Sequence, residues 1–189
     1  MATSRVKTSS ILQGFPKSRS LLAGNPYYVP PAFESIATVT VGSGGTGSIT
    51  FSSIPSTFTH LQLRSFALSS STASSGTLTI NGTGGKTHWL SGNGSVASAA
   101  YDGTTMFFPL VQGSTTSAFG SVTDFLDYSN TNKYKTVRTL GGFDANGSGF
   151  VNLTSNLWLS TSAITSITVT AVGTFNQYSS FALYGIKGA

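Results

Sequence analysis

The side chains in this sequence that could run acid–base or metal chemistry are few. Glu34, Asp102, Asp124, Asp127 and Asp144 are its carboxylates, and His60 and His88 its imidazoles. Asp124 and Asp127 stand three apart, so on a strand they point to opposite faces and form no carboxylate pair for glycoside hydrolysis. Serine is abundant, yet no G-x-S-x-G elbow presents one as a nucleophile. A non-enzymatic protein is expected. "DANGSG" (144–149) sets Asp144, Asn146 and Ser148 at the alternate positions that open an oxygen-rich calcium loop. Ser155 falls where a bidentate Glu should close that loop. A hairpin turn around Asn146-Gly147 is therefore expected, with cation binding at Asp144, Asn146 and Ser148 left open. Two separated histidines fall short of the ligands zinc takes, and cysteine is absent, so no metal, cofactor or disulfide is expected.

Binding chemistry is better represented. Trp89, in "KTHWLSGNG", lies beside a polar loop and is the candidate exposed platform for a sugar ring, with Tyr101 as a second. Trp158, in "NLWLS", reads as core. "KYKTVR" (133–138) puts Lys133 and Lys135 on one side of a strand and Tyr134 on the other. Lysines guarding a sheet edge explain it better than a nucleic-acid contact. Asp124 reads as a surface acid near Arg64 or Arg138.

Charge divides the chain in two. Arg5, Lys7, Lys17 and Arg19 precede Glu34 with no acid among them, whereas the remaining six of the 10 basic residues face all 5 acids. The pI of about 9.6 thus belongs largely to the first part. Four of the 6 prolines (Pro16, Pro26, Pro30 and Pro31) lie there too, favouring an extended path. Residues 1–33 read as an extended N-terminal arm and 34–189 as the body. Four charges spread along the arm give a weak counterion-release term, so no nucleic-acid partner is expected. A basic start with no apolar stretch after it gives no secretory signal, and no apolar run is long enough for a membrane span. With only 8% charged residues, the surface must be built from Ser, Thr, Asn and Gly.

The body reads as β. Period-two alternation runs through 36–41, 48–54, 58–68, 76–81, 121–128, 133–143, 149–159, 166–172 and 179–186, and a proline-interrupted segment at 104–110 joins them. That makes about nine or ten strands at the short spacing of an all-β sandwich or barrel. "GSGGTG" (42–47) reads as a hairpin connection, and the stretches 69–76 and 91–100 as long surface loops. Asn-Gly at 81–82, 93–94 and 146–147 and Asp-Gly at 102–103 supply positive φ for tight turns. The expected fold is an antiparallel β-sandwich, jelly-roll-like, carrying the N-terminal arm.

"FESIATVTVGSGG" (33–45), "ITFSSIPSTFTHLQLR" (49–64), "FLDYSNTNKYKTVRTLGGFDANGSG" (125–149) and "QYSSFALYGIKGA" (177–189) resemble a group of small tailed-phage virion proteins, cyanophages included. The arm text "SRVKTSSILQGFPKSRSLLAGN" (4–25) is similar to the start of such proteins. The resemblance implies an exterior β-sandwich component of the virion, oligomeric and often trimeric. Its role would be tail-fibre or baseplate-associated, or alternatively capsid decoration. In that setting the arm is expected to anchor the subunit to sister copies or other virion proteins. Ile11, Leu12, Phe15, Leu21, Leu22, Tyr27 and Tyr28 would supply contact area, and Arg5, Lys7, Lys17 and Arg19 would complement an acidic docking surface. Host glycan is the further expected partner, met by loops within 81–103 and 112–119 through Trp89 and Tyr101.

Overall fold

The computed structural model describes residues 32–71, 75–109, 117–144 and 146–188. The anchoring residues Arg5, Lys7, Ile11, Leu12, Phe15, Lys17, Arg19, Leu21, Leu22, Tyr27 and Tyr28 lie outside the described residues, as does most of the 112–119 loop.

Among the described residues every regular element is a strand. In chain order these are β1 (Phe33–Thr40), β2 (Thr46–Phe51), β3 (His60–Ala67), β4 (Ser75–Ile80), β5 (Lys86–Gly92) and β6 (Ala97–Asp102). They continue as β7 (Met106–Pro109), β8 (Phe119–Phe125), β9 (Lys135–Asp144), β10 (Gly149–Trp158), β11 (Ile167–Phe175) and β12 (Ser180–Ile186). All pairings are antiparallel. A large sheet runs β1-β12-β3-β8-β9-β10-β5-β6, and a small one runs β2-β11-β4-β7.

Alternation explains how the two sheets share one core. In β3, Leu61, Leu63 and Ala67 are buried while Arg64 and Phe66 face solvent. Phe181 and Leu183 of β12 join them, and from the small sheet come Phe51, Leu78, Ile80, Phe108, Ile167 and Val169. Phe181 packs edge-on against Phe175, with ring centroids 4.8 Å apart, and lies 6.5 Å from Phe108. The outer face of the small sheet is ordinary. Thr50, Thr168 and Thr79 follow one another across its strands, with a hydroxyl contact of 3.0 Å between the first two.

Several expectations need correction. "GSGGTG" is a turn, with Gly44 and Gly45 at φ +92 and +70, but it is not a hairpin: β1 pairs with β12 and β2 with β11. The stretch 91–100 is not a surface loop. It holds the end of β5, a tight turn in which Asn93 N–H donates to Val96 O (3.1 Å), and β6. β6 is a sheet edge exposed on both sides, so its Ala and Ser residues carry no alternation to read. Asp102-Gly103 turns without positive φ. There the Asp102 carboxylate accepts from Thr104 N–H (2.7 Å) and Thr105 N–H (2.9 Å), an Asx turn.

The edge-strand reading of 133–138 is overturned as well. β9 lies between β8 and β10, and Lys135 is fully buried. Its ammonium donates to the carbonyls of Lys133 (2.9 Å) and Thr161 (3.2 Å) and sits 6.0 Å from the Trp158 ring. Burial pushes its pKa down. The neighbouring Lys133 charge adds to that, and Asp127 opposes it.

Candidate functional site

β8, β9, β10, β5 and β6 turn apolar side chains towards solvent. Register places Val122 beside Leu140, Leu140 beside Leu153, Leu153 beside Leu90 and Leu90 beside Ala99. This unbroken apolar row across five adjacent strands faces outward, with its Leu and Val members among the exposed large hydrophobic residues. A parallel row carries Phe66 and Val151, both also exposed, with Gly120, Gly142 and Gly92 between and beside them. With strands about 4.8 Å apart and same-face residues about 6.8 Å apart, the two rows span on the order of 300 Å² in projection. That falls within the size range of the largest apolar patch on an ordinary monomer, a patch that is often functional. Polar groups border it. Arg64 Nε donates to Gln62 Oε1 (2.8 Å), Gln62 Nε2 donates to Asp124 Oδ1 (2.9 Å), and Arg138 pairs with Asp124 in register. The Arg64 guanidinium also lies 5.3 Å from the Tyr184 ring.

The inner face of the same strands carries a band of polar residues among core side chains such as Phe119, Phe125 and Val137. Ser65 and Ser121 hydroxyls meet at 2.6 Å, and those of Thr123 and Thr139 at 2.8 Å. Further along, Thr87 Oγ1 accepts from Phe107 N–H (2.9 Å), while Asn156 Nδ2 donates to Phe107 O (3.1 Å). These bonds tie β5 and β10 to β7, the edge strand of the small sheet. The pattern breaks one step further along β10. Thr154 is 1% exposed and Asn152 7%. Neither Thr154 Oγ1 nor Asn152 Oδ1 has a hydrogen-bond partner among the described residues. Each orphaned buried group costs roughly 1–3 kcal/mol.

The two residues that carry these orphans, Asn152 and Thr154, both line a cavity of about 200 Å³. Thr154 pairs with Trp89 and Asn152 with Ser91, which pairs in turn with Ser98, so these five form its floor. Phe107 and Pro109 of β7, with Phe150, complete the wall. No lining residue titrates in the neutral range, so the cavity can act by stacking and by neutral hydrogen bonds.

Trp89 and Tyr101, expected as joint platforms, are not brought together in this cavity. Tyr101 sits on the outer face, its ring tilted on His88 with centroids 4.7 Å apart, and lines a shallow groove whose rim Trp89 shares. Trp158 is buried as expected, its Nε1–H donating to Thr83 Oγ1 (2.7 Å). His60 and His88 are well separated. His60 Nδ1 accepts from Asp127 N–H (2.9 Å), and the Asp127 carboxylate forms an ion pair with Lys133. The Lys133 hydrogen bond holds the Asp127 pKa below the usual carboxylate range, against a smaller opposing desolvation. Asp102 is lowered by its Thr104 N–H bond first and its Thr104 hydroxyl bond second. Around Asn146-Gly147 the chain turns with both residues at positive φ, and Asp144 Oδ1 accepts from Asn146 N–H (2.7 Å). Among the described residues, no group of three His, Cys, Asp or Glu converges on a metal position.

Asn152 and Thr154 escape a reading of the sequence because alternating polar residues look solvent-facing. The signal that reveals them is phase: Asn152, Thr154 and Asn156 share a strand face with Trp158, whose place is the core. No protein-family model, no curated protein and no solved structure matches the chain.

Proposed function

We propose that this chain is a non-enzymatic structural subunit on the exterior of a tailed-phage virion, a short tail-fibre or baseplate-associated protein anchored by residues 1–33. The body is read as a jelly-roll-like β-sandwich, and the working form as an oligomer, with a trimer favoured. The observation that carries this reading is the apolar row that β8, β9, β10, β5 and β6 turn outward, with Val122, Leu140, Leu153, Leu90 and Ala99 in register. On a sheet face that keeps water, five apolar residues in register gain only modest cross-strand contacts. One that packs against other copies gains a hydrophobic interface core, rimmed by Arg64, Gln62, Asp124 and Arg138. The threonine-coated small sheet supports the contrast, since only one face is specialised. The phage setting and the anchoring arm rest on the resemblance in sequence.

Labelling purified virions with an antibody against the body tests the proposal. Few copies at the tail are expected. Many copies over the head would favour the capsid-decoration alternative, and no label on the particle would refute the virion role. Deleting residues 2–30 should leave the body folded and abolish incorporation into particles. Normal incorporation of the deletion would refute anchoring by the arm.

A further inference from the structure

From the cavity at β5, β6, β7 and β10 we infer that the protein binds a neutral hydroxylated ring, a single sugar residue, between Trp89 and the Asn152–Thr154 pair. This rests on the cavity alone and stands apart from the assembly role of the outer face. Three observations specify the ligand. The space of about 200 Å³ is smaller than the roughly 300–1,000 Å³ of sites for drug-sized ligands, and it suits one ring. The lining carries no charge, which disfavours acids, amines and phosphates and favours a neutral compound. Its chemistry is two-sided. The Trp89 indole with the Phe107 and Phe150 rings offers a surface for the C–H face of a sugar. Opposite polar demands come from Asn152 Oδ1, an acceptor wanting a hydroxyl proton, and Thr154 Oγ1, which can give or take one. Sugar hydroxyls supply both.

The orphans are what separate this cavity from a gap in packing. One step along the same strand face, Asn156 Oδ1 accepts from the Thr87 hydroxyl and Asn156 Nδ2 donates to Phe107 O, so both ends of that amide find partners beside β7. At Asn152 and Thr154 the described residues supply no such partner, and the demand passes to whatever enters the cavity. Ser91 and Ser98 continue the polar floor towards β6 at the sheet edge, so a ring seated on Trp89 would have its substituents directed towards solvent.

The test titrates the full-length protein with glucose, galactose, mannose and N-acetylglucosamine, and in a second arm with their methyl glycosides. Binding is followed by calorimetry and indole fluorescence. At least one sugar should bind and shift the fluorescence. Trp89→Phe should abolish the shift, leaving Trp158 as the only indole, and Asn152→Leu should weaken binding tenfold or more without lowering Tm. Leu153→Thr, on the opposite sheet face, should bind as the parent does. Glycosides binding as well as free sugars identify the terminal residue of a glycan as the ligand; binding of free sugars alone identifies a small-molecule site. The inference is overturned if no sugar of either arm gives heat or a fluorescence change up to its solubility, or if Asn152→Leu binds with parental affinity. Either result leaves self-association through the outer face to be judged by its own assay.

Discussion

Replacing Leu140 and Leu153 together by threonine removes the centre of the outward apolar row while keeping residues that suit a strand. The two leucines are 58% and 46% exposed in the isolated chain, so that share of each side chain remains to be buried on assembly. Taking about 2.3 kcal/mol for a leucine carried from water to full burial, roughly 1.3 and 1.1 kcal/mol are at stake. The pair is therefore worth about 2.4 kcal/mol per copy, or about 50-fold in association. Where both partners contribute this face, the loss is squared, to roughly 2,500-fold. Monomer stability should change by no more than about 0.5 kcal/mol, since both positions face solvent. Sedimentation equilibrium across a concentration series gives the association constant, and urea unfolding gives the stability. A variant that folds normally and self-associates as tightly as the parent would refute the assignment of this face to assembly.

Other consequences follow from single contacts. Asn81→Gly keeps the positive φ of the turn but loses the bonds to Thr165 N (2.9 Å), Ser166 N (3.0 Å) and Ala163 O (2.9 Å), and should cost about 2–4 kcal/mol in chemical unfolding. Gly85→Ala sets a methyl 2.2 Å from Leu157 O, a backbone atom that cannot swing aside; about 3 kcal/mol and a Tm lower by roughly 10 °C are expected. For Lys135, the pKa lies below 10.5 in the folded chain, so the unfolded chain binds more protons in the window beneath 10.5. Its contribution to stability therefore rises with pH through that window, and Lys135→Met should remove this rise from urea titrations carried out below pH 10.5. For Asp127 the sign reverses. Its lowered pKa gives a contribution present above 3.8 and lost as acid protonates the folded chain, so Asp127→Asn should blunt the acid limb of the stability profile.

Much of the β architecture was legible in the sequence because most strands alternate, and alternation survives whichever face is inside. β3 is the clearest case, with Leu61 and Leu63 in phase against Gln62 and Arg64. What alternation does not carry is the sign of the face. In "VNLTSNLW" the leucines look internal and the asparagines external, and only the phase of Trp158 argues otherwise. Lys135 was misplaced for the same reason: its charge suggested a guarded edge, whereas two backbone carbonyls and the Trp158 ring hold it inside. β6 left no trace because an edge exposed on both sides imposes no pattern on its residues. Pairing between distant strands, such as β12 with both β1 and β3, is set by the closure of the core and not by local text. The aromatic platform was half legible. Trp89 was visible beside its polar loop, but its partners Asn152 and Thr154 come from a strand far along the chain.

Electron cryo-microscopy of the full-length protein in its assembled form tests the assembly claim most directly. A neighbouring copy should lie in van der Waals contact with Leu140, Leu153 and Leu90, leaving the threonine face of the small sheet towards solvent. An assembly in which those leucines remain bathed in water, with contacts made elsewhere on the body, would contradict the account.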